Sequence, residues 1–261
     1  MIFAAVGDVH GQQKLMKRVL DNWEYANNKK IDFVLQVGDF EPIRFESDLE
    51  SMACPSKYRK VGDFPEFYNG KYKFEQPVYF LSGNHEPYLF LDSLYQTPEE
   101  IAPNCTYLGR SGGININGLN IRFLSGIYSP RNYRNQKKGR LRGHKWGDAS
   151  NKLFTYYFEK EVESHRNHTC DILMLHEWPE GAIEPSNKGG RFDRLGSEPA
   201  RQLVDMLQPK LIIAGHNHFK HRSKINNSDF AAMSIINNEE DALGVFEVKE
   251  AATGLSIVEL G

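Results

Sequence analysis

The chain has 261 residues, of which 40% are hydrophobic and 25% are charged, the balance of an ordinary globular protein. Its 32 Lys and Arg residues nearly offset its 34 Asp and Glu residues, and the net charge of −2 excludes a histone-like polycation. This length predicts one large α/β domain or at most two small ones, and we expect a single domain over 1–261.

Apolar runs and helical periodicity predict that strands and helices alternate through the first half of the chain. Buried strands are expected over 2–6, 33–37 and 78–81. A helix is expected over 12–27, where Leu15, Val19 and Trp23 share one face. The alternation over 113–125 around Asn117-Gly118 indicates a β-hairpin.

The second half continues the same alternation. Helices are expected over 153–162 and 198–207, the latter with Pro199 at an early position where proline is tolerated. Strands are expected over 171–175 and 211–214. The last 35 residues should add two or three more strands, over 230–236, 243–248 and 255–260.

Polar side chains recur where the predicted strands end. Five clusters carry them: Asp8 with His10, Asp39, Asn84 with His85, His176, and His216 with His218. Ligands of open α/β sheets collect at the carboxyl ends of strands, so these clusters are expected to converge in one crevice. Taken singly, most of them would also fit a turn or a core histidine.

The combined donor set is typical of a metal site. Two Asp, one Asn and five His are too many ligands for one four-coordinate zinc ion and suit two adjacent ions. Mixed oxygen and nitrogen donors without thiolate favour Mn, Fe, Zn or Co. We expect the other four histidines to be exposed to solvent: His144, His165, His168 and His221.

The order and spacing of the five clusters, from residue 7 to residue 218, resemble the calcineurin-like metallophosphoesterase superfamily. The resemblance implies an α/β fold, a two-sheet β-sandwich flanked by helices, with a dinuclear metal site at the carboxyl ends of strands. It also implies the ligand sets. One ion would be held by Asp8, His10 and His218, the other by Asn84, His176 and His216, with Asp39 bridging them. His85 would face the scissile phosphate as a catalytic residue rather than a ligand.

Further motifs are similar to the family of RNA lariat debranching enzymes, notably Pro55-Ser56-Lys57-Tyr58-Arg59 and His176-Glu177-Trp178-Pro179. This resemblance implies a phosphodiesterase that hydrolyses 2′-5′ bonds in branched RNA by a metal-activated hydroxide. His85 would then act as the general acid or orient Asp39. Asp8 stands where these enzymes typically carry Cys, and a hard carboxylate ligand should favour occupancy by both ions.

A basic segment around 128–150 is expected to be an insertion that recognises the substrate. Between residues 131 and 145 it holds seven basic and no acidic residues, with aromatic residues interleaved, which suits a nucleic-acid backbone and base stacking. The alternative is a solvated surface loop. The predicted substrate-binding residues are Tyr58, Arg59, Arg131, Tyr133, Arg134, Lys138 and Arg140.

Two other functions stay open on the sequence. One is a metallophosphoesterase acting on another nucleotide, nucleic acid or phosphoprotein, although phosphoprotein phosphatases usually follow Gly-Asp with Asp-Arg-Gly, which is missing after Asp39. The other is a metal-free scaffold that keeps the fold. Two observations predict an intracellular protein of the cytoplasm or nucleus with no membrane association: no apolar run approaches 18 residues, and the cysteines (Cys54, Cys105, Cys170) are scattered.

Overall fold

The structure is a computed structural model that describes residues 1–94, 97–135, 148–183, 195–251 and 254–260. Its strands, β1 to β13, are Ile2–Val6, Phe33–Gln36, Val78–Phe80, Glu99–Ala102, Cys105–Tyr107, Ser111–Ile116, Leu119–Leu124, Ile172–Leu175, Leu211–Ala214, His221–Ile225, Ser228–Ala232, Leu243–Ala251 and Gly254–Leu260. The helices, α1 to α7, are Gln13–Asn27, Phe64–Tyr68, Tyr88–Leu91, Asp148–Thr155, Glu159–Glu163, Glu198–Leu207 and Glu239–Ala242. Two short 3₁₀ helices lie at Glu46–Ser51 and Ser56–Tyr58.

The strands form two mixed sheets. The first has the order β13-β12-β1-β2-β3-β5-β4 and the second the order β10-β11-β9-β8-β7-β6. Within the first sheet β1, β2 and β3 run parallel, and within the second β7, β8 and β9 do so. The loops that follow β1, β2 and β3 therefore leave one edge of the first sheet together, as do those that follow β8 and β9 in the second.

The main core lies between the two sheets. Phe3 and Leu35 from the first sheet pack in one buried cluster with Phe123, Met174 and Ile213 from the second. The outer face of the first sheet is covered by α1, and the outer face of the second by α6, each through its apolar side. The predicted α/β fold with two sheets flanked by helices is confirmed.

Several predicted elements differ from the observed ones. The helix expected over 153–162 is broken into α4 and α5, because Ile127 and Tyr156 form a β-bridge and Phe158 is extended. Strand β10 was missed because His221-Arg222-Ser223-Lys224 is polar, yet it pairs antiparallel with β11. The sequence pattern also missed β4, β5 and the short helices between β2 and β3.

Most of the basic insertion predicted around 128–150 lies outside the described residues, since 136–147 are not described. The single-domain prediction stays a prediction. Among the described residues, no helix has the combined length and apolarity needed to cross a membrane.

Candidate metal centre

The five polar clusters of the sequence meet at one edge of the two sheets. Asp8 and His10 follow β1, Asp39 follows β2, and Asn84 with His85 follows β3. His176 follows β8, while His216 and His218 follow β9. Backbone φ is positive at His10, Asp39, His216 and His218 (45°, 50°, 69° and 57°), a region that non-glycine residues seldom adopt and that marks functional sites.

One group of donors is formed by Asp8, His10 and His218. Oδ2 of Asp8 lies 2.9 Å from Nε2 of His218 and 3.9 Å from Nε2 of His10. The two imidazole Nε2 atoms are 3.3 Å apart. Three donor atoms this close can share one cation.

A second group is formed around the buried carboxylate of Asp39. Nε2 of His176 lies 3.6 Å from Oδ1 of Asp39 and 3.2 Å from Oδ1 of Asn84. The ring of His216 packs edge-on against His176, with centroids 4.9 Å apart. Asp39 also approaches the first group, because its Oδ2 lies 3.8 Å from Nε2 of His10. Its two carboxylate oxygens therefore lie close to both groups.

The donor arrangement fits a cation. Nδ1 of His176 lies 2.9 Å from the carbonyl oxygen of Val37, and donation to that oxygen leaves a lone pair on Nε2. Nε2 then faces Oδ1 of Asn84, also an acceptor, at 3.2 Å. In this tautomer the two acceptors would attract a cation placed between them, so the pair suits a metal ion.

The pKa values of His10 and His216 also favour a cation at this site. Burial lowers the pKa of His10, but the hydrogen bond to Glu41 and the nearby Asp39 and Asp8 outweigh it and raise that pKa to about 9. Burial and the neighbouring His176 lower the pKa of His216 to about 4, so this imidazole is neutral at pH 7 and free to bind a metal. The carboxylates around His10 therefore attract positive charge, either a proton on His10 or a metal ion in its place.

Close packing explains why two positions in the motifs are occupied by glycine. A Cβ on Gly83 would lie 2.1 Å from Oδ1 of Asp39, and a Cβ on Gly215 would lie 2.3 Å from Oδ1 of Asp8. The carboxylates occupy the space that a side chain would need. Backbone amides then orient them: Asn84 and His85 both donate to Oδ1 of Asp39 at 2.7 Å, and His216 donates to Oδ1 of Asp8 at 2.9 Å.

His85 lies beside the metal donors. Its ring is 5.1 Å from that of His10, centroid to centroid, and its Nδ1 is 3.7 Å from Oε1 of Glu41. Burial lowers the pKa of His85, but contacts with Cys54 and Glu41 raise it to about 11. The backbone amide of His85 orients Asp39, while its ring nitrogen lies close enough to His10 and Glu41 to share a cation with them.

Two carboxylates support the site, and the sequence pattern assigned a role to neither. Glu41 accepts a hydrogen bond from Nδ1 of His10 at 2.9 Å. Glu86 is fully buried and accepts from the backbone amides of Phe40, Glu41 and Gly83 at 3.0 to 3.1 Å. Glu86 thus ties the loop after β2 to the loop after β3. A glutamate two positions after the Gly-Asp motif was the available signal for Glu41.

Among the described residues, the predicted substrate-binding side chains differ in their exposure to solvent. Tyr58 ends the short 3₁₀ helix Ser56–Tyr58 and is 52% exposed, and its ring lies 6.4 Å from that of His85. Arg59 donates to the carbonyl oxygen of Cys54. Arg131 and Arg134 are exposed, whereas Tyr133 is buried against Tyr128 and Tyr157. Lys138 and Arg140 lie outside the described residues.

Two histidines expected to be solvated are not. His165 is fully buried between Ser111 and Arg122, because α5 lies over the hairpin formed by β6 and β7. His221 stacks on the indole of Trp178, with centroids 5.6 Å apart. His168 is exposed as expected, and His144 lies outside the described residues.

Comparison with known proteins identifies the same family. The model of the calcineurin-like phosphoesterase family matches residues 1–220. The chain is 33% identical to the lariat debranching enzyme of Entamoeba histolytica over 245 residues, which cover 89% of this chain and 68% of that one. It is 33% identical to that of Schizosaccharomyces pombe and 30% identical to that of Drosophila melanogaster, over 84% of this chain in each case. The aligned regions cover only 50% and 43% of those two relatives, so the chain spans half of their length or less.

Solved structures agree on the fold. TT1561 of Thermus thermophilus superposes with a TM-score of 0.53 at 12% identity, covering 99% of this chain and 98% of that one. GAP50 of Plasmodium superposes with a TM-score of 0.52 at 9% identity, covering 100% of this chain and 84% of that one. At such low identity these likenesses concern the fold alone.

Proposed function

The chain belongs to the calcineurin-like phosphoesterase family, and we propose that it is a metal-dependent phosphodiesterase that hydrolyses the 2′-5′ bond at the branch point of RNA. The observation that carries the proposal is the convergence of the donor groups around Asp39 with His85 beside them. This constellation occurs in a chain that is similar over most of its length to lariat debranching enzymes.

The residues around Asp39 fit two divalent ions. The first would be held by Asp8, His10 and His218, the second by Asn84, His176 and His216, with Asp39 shared. When bound, such ions neutralise phosphate oxygens and activate water for attack on phosphorus. Oxygen and nitrogen donors without a thiolate favour Mn, Fe or Zn.

His85 is the candidate general acid. Its ring lies at the edge of the donor cluster and is partly exposed, so a substrate can reach it. A protonated imidazole there donates its proton to the sugar oxygen that leaves phosphorus. General acid catalysis of this kind contributes about 10²- to 10⁴-fold to the rate. Asp39 depends on the backbone amide of His85, so replacing the His85 ring leaves that hydrogen bond in place.

Substrate recognition is assigned to exposed groups near this edge. Tyr58 offers an exposed ring next to His85, and Arg59 lies beside it. Arg131 and Arg134 are exposed in the segment that follows β7, and Lys138 and Arg140 continue the same basic segment in the sequence. The partner is thus RNA or a related phosphodiester. The three cysteines are buried and unpaired, which suits a reducing compartment inside the cell.

The test is cleavage of a synthetic branched RNA beside a linear 3′-5′ RNA, with Mn, Fe or Zn added to metal-depleted protein. Selective release at the 2′-5′ bond supports the proposal. Hydrolysis of bis-p-nitrophenyl phosphate without branch cleavage would keep the metal centre and reject branched RNA as the substrate. If no metal gives turnover on either compound, the enzymatic proposal fails.

A further inference from the structure

We propose that exposed aromatic side chains between β2 and β3 form a stacking surface for a single-stranded arm of the branched RNA, an inference that rests on the proposed function. The aromatic surface consists of Phe45, Tyr58, Tyr68 and Tyr72. Stacking of bases on such rings is the usual way in which proteins hold single-stranded nucleic acid without reading its sequence.

The four rings are open to solvent. Phe45 and Tyr58 are 51% and 52% exposed, and Tyr68 and Tyr72 are 36% and 39% exposed. A single exposed aromatic residue is ordinary, but these four lie on one segment of 28 residues, between 45 and 72. Phe45 and Tyr68 contact each other edge to face, with centroids 5.9 Å apart, so they form a continuous apolar area.

Each ring also has a cation close to it. The guanidinium carbon of Arg44 lies 5.4 Å from the ring centre of Phe45 and 5.7 Å from that of Tyr68. Nζ of Lys57 is 4.7 Å from the ring centre of Tyr58. Nζ of Lys14 is 4.7 Å from the ring centre of Tyr72. The cations hold the rings in place, since Arg44 also stacks on Phe90 at 3.6 Å, and the ring faces remain the surface on which a base can stack.

The segment that carries the four rings contacts the metal centre at two points. The ring of Tyr58 lies 6.4 Å from that of His85. The backbone amide of Asp63 donates to the carbonyl oxygen of Gly11, the residue after His10, at 2.7 Å. A strand of RNA that leaves the scissile phosphate on this side therefore passes the segment that carries the aromatic rings.

The segment is firmly held beneath the rings. Ile43, Met52 and Cys54 form a small buried cluster, and the carbonyl oxygen of Cys54 accepts from Nε of Arg59. The cluster ties the loop that carries Phe45 to the loop that carries Tyr58. The rings are thus presented by a packed support, which lowers the entropic cost of binding.

The charges select the kind of RNA. Arg44 donates two hydrogen bonds to the carboxylate of Asp48, and Glu66 forms ion pairs with both Lys14 and Lys71. These carboxylates offset the charge of Arg44, Lys14 and Lys71, so stacking on the rings, rather than attraction to phosphate, would carry the binding. Unpaired bases are needed for stacking, and a single strand is the ligand that supplies them.

The experiment compares a minimal branched RNA of three nucleotides with branched RNAs in which one arm at a time is extended to ten nucleotides. Wild-type protein should bind one of the extended substrates more tightly than the minimal one, as measured by KM. Phe45→Ala and Tyr68→Ala should each raise KM for that substrate about 5- to 100-fold. Neither variant should change KM or kcat for the minimal substrate.

Two controls separate stacking from misfolding. Tyr68→Phe keeps the ring and should behave as wild type, and Tyr25→Ala removes a ring that is 91% exposed on α1, outside the aromatic surface. Two results would overturn the proposal. One is an equal rise in KM for the minimal and the extended substrates in the alanine variants, and the other is a wild-type KM that no extended arm lowers. Anisotropy of a labelled ten-nucleotide single strand tests the aromatic surface apart from cleavage. Loss of its binding in Phe45→Ala supports the surface even if branched RNA is not cleaved, and unchanged binding counts against it.

Discussion

Oε1 of Glu41 lies 2.9 Å from Nδ1 of His10, and the hydrogen bond between them turns Nε2 of His10 toward Asp8 and Asp39. A carboxylate that accepts from a ligating histidine fixes both the tautomer and the ring orientation. Glu41 is itself held by Glu86, which accepts from its backbone amide at 3.0 Å. The metal centre is thus oriented by two carboxylates outside the predicted ligand sets, although Glu41 also lies close enough to His10 and His85 to share a cation with them.

We expect Glu41→Ala to weaken metal binding about 10- to 100-fold, because removal of such a supporting group typically costs that much. Glu41→Gln should lose less metal affinity than Glu41→Ala, since the amide oxygen can still accept a hydrogen bond from Nδ1 of His10. Calorimetric titration of metal-depleted protein with Mn or Zn measures the change. Glu46→Gln, at an exposed site, is the matched control. Equal metal affinity in Glu41→Ala and wild type would remove Glu41 from this role.

Metal binding should also stabilise the fold through Asp39. A cation at 100 times its Kd adds about 2.7 kcal/mol to the free energy of unfolding, so the wild-type melting temperature should rise with added metal. Asp39→Asn keeps an oxygen for the amides of Asn84 and His85 but loses the negative charge. Its melting temperature should respond little to metal. A full metal-induced rise in this variant would show that Asp39 is not a shared ligand.

His85→Ala should lower kcat about 10²- to 10⁴-fold at unchanged metal content, the range expected for loss of a general acid. The backbone amide that orients Asp39 persists in the variant, so the ions should still bind. Single-turnover kinetics with branched RNA, together with metal analysis of the same samples, measures both quantities. His168→Ala removes an exposed imidazole outside the centre and should leave both unchanged. Full turnover of His85→Ala with metal bound would reject the acid role.

The sequence allowed the fold and the donor positions to be predicted because both depend on local signals. Apolar runs end at Gly-Asp, Gly-Asn-His or Gly-His. The carboxyl ends of parallel β-strands lie at the same edge of a sheet, so the residues that follow them are brought together. Glu41 carried only a weak signal, its place two positions after the Gly-Asp motif. Its partner His10 is 31 positions away, and its own backbone sits in a turn with φ of 54° where no periodicity applies.

Dependence on distant parts of the chain also explains why the predictions for strand β10 and His165 were wrong. Strand β10 is polar and exists because β11 offers it a ladder of hydrogen bonds, which depends on tertiary pairing. His165 lies in a polar stretch of sequence, but α5 places it under the hairpin against residues more than 40 positions earlier in the chain. Burial of a polar residue by a distant element cannot be recognised from its neighbours in sequence.

His165 is a second buried histidine with a defined hydrogen-bond pattern, outside the metal centre. Nε of Arg122 donates to its Nδ1 at 3.0 Å, so its Nε2 carries the hydrogen and donates to Oγ of Ser111 at 2.8 Å. Burial, followed by the charge of Arg122, lowers the pKa of His165 to about 4. The neutral imidazole is therefore the form that the folded protein accommodates.

This burial predicts a pH dependence of stability. The unfolded chain protonates His165 below about pH 6.5, whereas the folded chain does so only below about pH 4, so protons favour the unfolded chain between these values. The contribution of His165 to the free energy of unfolding is fully present above pH 6.5. About 3 kcal/mol of it is lost as the pH falls to 4, and no more is lost below pH 4. His165→Gln offers a donor and an acceptor that do not titrate. Urea unfolding of both proteins from pH 4 to 7 should give stability curves that converge toward low pH, with His168→Gln running parallel to wild type. Parallel curves for His165→Gln and wild type would mean that His165 binds a proton equally well in the folded and unfolded chains.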